Sequence, residues 1–199
     1  MSVTIFFEGG GDKDTTRSKC REGLSNYCAK LKPPRSRLRV VAGGGRTQTF
    51  DKFRTAVLDS RAGEISVLLV ESEGPVTANT PVEHLHALDG WDFTSLRNSQ
   101  VFLMVQAMEA LFLADREALA AFYDGGFLPK SLPGSATNVE IIRKEDIEPA
   151  LKNATRKTET KGEYHKINHG AALLALIDPA KVEKASPHAA SFHQFLRSL

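Results

Sequence analysis

A chain of 199 residues is long enough to bury a proper core, so one compact domain with a small appendage is its default organisation. Lysine and arginine total 26 against 24 acidic residues, and the resulting net charge of +2 gives no global argument for nucleic acid and leaves that question to local patches. Cys20 and Cys28 lack metal spacing and read as reduced thiols, no basic and apolar leader opens the chain, and no apolar run is bilayer-long; a cytoplasmic protein without membrane contact is expected.

The first strand is predicted at Val3 to Phe7, and it runs directly into Glu8-Gly9-Gly10-Gly11-Asp12. A helix from about Thr15 to Leu31 follows, with Cys20, Leu24, Tyr27, Cys28 and Leu31 at helical spacing, and Pro33 and Pro34 end it. The second strand is Leu38 to Ala42. Gly43-Gly44-Gly45-Arg46 then reads as a flexible turn before a helix from about Gln48 to Ser60. Ile65 to Val70 forms the third strand and repeats the opening pattern, since an apolar run again meets acid and glycine in Glu71-Ser72-Glu73-Gly74. Gly74 to Asp92 mixes Pro, Asn, His and Gly without clean periodicity and reads as a long loop with room for a short helix. Val101 to Val105 is the fourth strand, and it passes through Gln106 into a helix over Met108 to Leu113. Asp115 is placed to cap Arg116 to Tyr123. Beyond Gly125 the helical segments are Ile147 to Asn153, about Ile167 to Leu176, and a short terminal one around Phe192 to Leu196. Alternating strands and helices with short connections predict an α/β fold with a mainly parallel sheet of about four strands. Residues 1-125 form its core, and residues 126-199 are a small C-terminal helical extension packed on that core.

In such a sheet Glu8, Glu71, Glu73 and Glu109 all reach the carboxyl edge, where open α/β sheets bind ligands. Glu71 and Glu73 are two apart and point to one side of an extended chain. Like charges held that close need a proton or a cation. Magnesium or manganese, which take carboxylate oxygens and complete their shell with water and phosphate, is the natural cation here. Gly9, Gly10 and the second glycine run would let backbone amides approach an anion, with Arg46 available to clamp phosphate.

Phe6-Phe7-Glu8-Gly9-Gly10, Gly44-Gly45-Arg46 with Phe53 after it, Leu69-Val70-Glu71-Ser72-Glu73 and the run from Val105 to Asp115 resemble the bacterial domain of unknown function family 4276, whose core is Toprim-like. The resemblance extends to Tyr164-His165-Lys166 and the tail from Ser186 to Leu196. It implies a three-layer α/β/α core in which Glu8 is the general acid or base and Glu71 with Glu73 holds magnesium, although the later motif is Glu-Ser-Glu where Toprim domains carry Asp-x-Asp. It also implies a nuclease acting beside an ATPase partner in anti-phage defence. The alternative is a non-catalytic Toprim-like subunit that binds an ATPase or nucleic acid.

Lys144, Lys152, Arg156, Lys157, Lys161 and Lys166, with His165 and His169, form the most basic stretch, in a segment that otherwise reads as lacking a buried face. Lys161 and Lys166 are the candidates for DNA or RNA backbone contact. Interleaved Glu145, Asp146, Glu148, Glu159 and Glu163 favour an ordinary mixed-charge surface over that reading. His84 and His86 read as loop histidines, since no third metal ligand accompanies them.

Overall fold

Strand β1 (Ser2–Glu8) buries Val3, Ile5 and Phe7 on one face and Phe6 on the other, which calls for cover on both sides of the sheet it joins. In the computed structural model, which describes residues 2–11, 13–33, 37–96, 100–134 and 137–199, that requirement is met by a three-layer α/β/α arrangement. Val3, Ile5 and Phe7 enter one apolar cluster, with Leu24 and Tyr27 from α1 (Asp14–Lys30), Leu173 from α7 (Lys166–Leu176) and Phe192 from α9 (Pro187–Arg197). Phe6 enters the other, with Phe50 and Phe53 from α2 (Arg46–Leu58) and Leu85 from α3 (Pro81–Asp89). Asp12 and Pro34 lie outside the described residues.

All strand pairings are parallel, and the order is β2 (Arg37–Gly44), β1, β3 (Glu64–Glu71), β4 (Val101–Met104). Phe7 pairs with Leu69, and Glu71 pairs with Met104. The acidic strand ends are therefore level at one edge.

The glycine run after the second strand is not a free turn. Gly43 and Gly44 complete β2, with a register shift that sets Phe7 opposite Ala42 and Glu8 opposite Gly44, so Gly43 is the extra residue of a bulge. Gly44 has φ +93°, a conformation that favours glycine, and α2 starts at Arg46. The stretch read as a long loop contains α3, capped by Thr80, whose hydroxyl accepts from the Glu83 amide, and closed by left-handed Gly90.

After β4, α4 (Met108–Leu113) and α5 (Arg116–Tyr123) follow, and the Asp115 side chain accepts from the Ala118 amide as a cap should. Helix α6 (Lys144–Thr155) corrects the expectation of a basic segment without a buried face, because Ile147, Leu151 and Ala154 are buried. The unforeseen α8 (Pro179–Ala185) precedes α9, which begins at Pro187 under a Ser186 cap and is longer than the terminal helix expected. Helix α7 lies against α1 so closely that a Cβ on Gly23 would fall on the Ala171 carbonyl. Among the described residues no helix is long and apolar enough to cross a membrane.

Candidate active site

From β1 the chain crosses to β2 on one side, while β3 lies on the other, and this reversal opens a crevice at the carboxyl ends of β1 and β3. Glu8 and Glu71 end those two strands. Glu8 Oε2 accepts from the Glu71 amide at 3.1 Å and from Arg46 Nη1 at 3.2 Å, which ties the strand ends together. Glu71 Oε1 accepts from the Met108 amide at 3.2 Å and faces Lys166 Nζ at 3.4 Å, while its Oε2 meets Lys144 Nζ at 3.0 Å. Lys144 also bonds Glu73 Oε1. On the far side Lys166 reaches Glu109 Oε1 at 3.1 Å, and the Tyr164 hydroxyl donates to that same oxygen at 3.1 Å. The result is one continuous run, Glu73–Lys144–Glu71–Lys166–Glu109–Tyr164, with Glu8 and Arg46 beside it.

This arrangement drives the two central carboxyls apart. Burial, reinforced by the nearby Glu71 charge, raises the Glu8 pKa, and Arg46 and the Glu71 amide only partly offset this. Burial would raise Glu71 as well, but Lys166, Lys144 and the Met108 amide outweigh it and hold that carboxyl below the usual range. Lys166 is desolvated too, yet Glu71 and Glu109 push its pKa up. A carboxyl that keeps its proton longer therefore adjoins one that stays ionised, the division of labour seen in acid–base sites.

The other residues singled out in the sequence are placed differently. Gly9 exchanges backbone hydrogen bonds with Gly44 at 3.1 and 3.2 Å, so its amide is spent on the sheet. Gly10, at φ +88°, sits where a Cβ would come within 2.6 Å of the Arg17 Cα, so its glycine serves the approach of α1. Arg46 makes its bidentate contact with Asp89, both bonds 2.8 Å, and gives Nη1 to Glu8 and to the Glu71 carbonyl at 2.6 Å. Its guanidinium also lies over the Trp91 ring. Lys161 stands over the Phe122 ring, 5.0 Å from its centroid. His84 and His86 are on α3 rather than in a loop, and they contact the carbonyls of Ser72 and Trp91. Asp89 and the inward turn of Lys144 escaped the sequence reading; the Thr80-Pro81-Val82-Glu83 cap signature would have placed α3 and, with it, Asp89.

A family model described as Domain of unknown function (DUF4276) matches residues 7–197, nearly the whole chain. The chain belongs to that family. No curated protein and no solved structure matches it. In this DUF4276 chain the oxygens of Glu8, Glu71 and Glu73 are the donor type that magnesium and manganese take. Glu8 feels the charges of both Glu71 and Glu73, and the Lys144 ammonium bridges the latter two as a stand-in cation. Donor chemistry and bridging cation both fit a divalent ion, which would compete with Lys144 for the same oxygens. Glu8 faces Arg46 while Glu71 and Glu73 face Lys144, and among the described residues no three acidic, histidine or cysteine side chains form a group that could hold a metal ion.

Proposed function

We propose that this chain is a Toprim-like, metal-dependent phosphodiesterase, a nuclease effector working with a partner ATPase in bacterial anti-phage defence. The observation that carries the reading is the Glu8 and Glu71 pair at the sheet's switch point, one carboxyl shifted up and its neighbour shifted down. In hydrolysis a water oxygen bonds to phosphorus as the bond to the leaving oxygen breaks. Glu8 is the group suited to deliver the proton that oxygen needs, and the proton shed by the attacking water passes to solvent, from which Glu8 is reprotonated. Glu71, kept ionised by Lys166, fixes the charge beside it, and Glu109 with Tyr164 holds Lys166 in place. Magnesium or manganese, held by Glu71 and Glu73 with Glu8 facing it, would supply charge to the phosphoryl oxygens when bound. The ATPase partner and the defence role rest on the family resemblance, and a cytoplasmic location is the expectation drawn from the sequence itself. Lys161 is the candidate for contact with the DNA or RNA backbone, while Lys166, also singled out for that role, is engaged by Glu71 and Glu109.

A second reading, a non-catalytic regulatory subunit, draws on one feature: Glu8, Glu71 and Glu73 each already face a cationic side chain. Incubation of the chain, alone and with an ATPase encoded beside it, with mixed DNA and RNA plus magnesium or manganese separates the two. The nuclease reading expects cleavage that chelator, Glu8→Gln and Glu71→Ala each abolish. Equal cleavage by all three proteins, or none under any condition, defeats it.

A further inference from the structure

Lys144, like Lys166 and Lys181, carries an ammonium that bridges two carboxylates. It lies between the two carboxylates of the Glu-Ser-Glu motif, 3.0 Å from Glu71 Oε2 and hydrogen bonded to Glu73 Oε1. The backbone beneath it is pinned. The Lys144 amide donates to Gln106 Oε1 at 3.1 Å, and Gln106 Nε2 in turn donates to the Glu140 carbonyl at 3.1 Å. Its side chain is one-third exposed at the mouth of a cleft of about 520 Å³ that Glu73, Glu145, Glu148 and Lys152 also line. A lysine is a compact point charge on a flexible four-carbon stem, and it can leave a carboxylate pair without disturbing the helix that carries it. Lys166 differs, because it joins Glu71 to Glu109 and does not touch Glu73.

From this geometry we infer that Lys144 is a tethered cation that keeps the place of the divalent ion between Glu71 and Glu73. Ion binding requires its ammonium to leave the two carboxylates for the adjoining cleft, where Glu145 and Glu148, now paired with Arg143 and Lys152, are the nearby acidic side chains. The inference rests on the metal-dependent reading above and adds regulation to it: the empty pair is neutral enough to stay folded, and metal affinity is set low by an internal competitor. The exchange replaces a single positive charge with a double one, so the two carboxylates keep a cation beside them in either state.

Calorimetric titration of manganese into the full-length chain, without nucleic acid, tests this on wild type, Lys144→Met and Lys144→Arg. The Met variant should bind about tenfold more tightly, because two partly exposed ion pairs no longer compete. The Arg variant, which retains the charge, should bind no tighter than wild type. Equal affinity in wild type and the Met variant overturns the inference while leaving the metal-dependent reading intact. Absence of manganese binding in all three overturns both. Circular dichroism checks that the Met variant folds, and Lys144→Gln, which keeps a polar contact to Glu73, takes its place if it does not.

Discussion

Glu8 and Glu71 are joined by a hydrogen bond, yet they respond to acid in opposite directions. Glu8 has a raised pKa in the folded protein, so its contribution to stability is fully present below the unfolded value of about 4.3 and is lost as pH rises through the folded value. Glu71 has a lowered one, so its contribution is present above about 4.3 and is lost as pH falls through the folded value. Thermal unfolding of Glu8→Gln should therefore show a midpoint that gains on wild type as pH climbs from about 4 toward neutral. Glu71→Gln should lose about 1–2 kcal/mol at neutral pH, after discounting for the exposure of Lys144 and Lys166, and the deficit should close as pH falls below about 4.3 and through the lowered folded value. Parallel pH profiles for the two variants would mean that their environments are alike. Both glutamates were legible as strand-end acids, because an apolar run followed by Glu and Gly is a local pattern. Their opposite shifts were not legible, since the lysines responsible lie 73 and 95 positions beyond Glu71.

At the scale of elements, α3 shows why a helix can hide. Of its nine residues only Leu85 is buried, with Val82 packed beside it and Leu88 exposed, so its apolar spacing is too short to give a clear period, and its histidines serve as tethers to the Ser72 and Trp91 carbonyls. Its functional contribution is Asp89, the bidentate partner that steers Arg46 toward Glu8. Asp89→Ala should cost about 1–2 kcal/mol, as for a partly buried charged hydrogen-bond pair, and should speed amide exchange in α3 more than elsewhere. Uniform exchange in that variant would show that Arg46 does not anchor the helix. The strands and α1 were placed within a residue or two because their apolar positions repeat. Helix α8, seven residues long, carries too short a pattern to be read that way, although the Asp178-Pro179 pair that opens it is a start signal.

For the whole molecule, residues beyond 125 do more than decorate a finished core. Ile147, Leu151, Leu173, Leu174, Val182, Phe192 and Leu196 share one apolar cluster with Val3, Ile5, Phe7 and Val67, and Lys144 and Lys166 reach the site from the same half. The full chain should accordingly unfold in a single transition whose midpoint agrees between fluorescence and circular dichroism. A fragment of residues 1–125 should lack the near-ultraviolet signature of a packed core, and a fragment that unfolds cooperatively by itself would refute this. The sequence alone was enough for the α/β class, the existence of four strands and the acid at the end of the first and third, because each follows from hydrophobic period and punctuation within about ten residues. Only the tertiary structure decided that β1 lies beside β3, that Arg46 turns to Asp89, and that two lysines from the C-terminal half neutralise Glu71. Those outcomes depend on which faces are buried together and which charges are desolvated by it, and no local pattern carries that information.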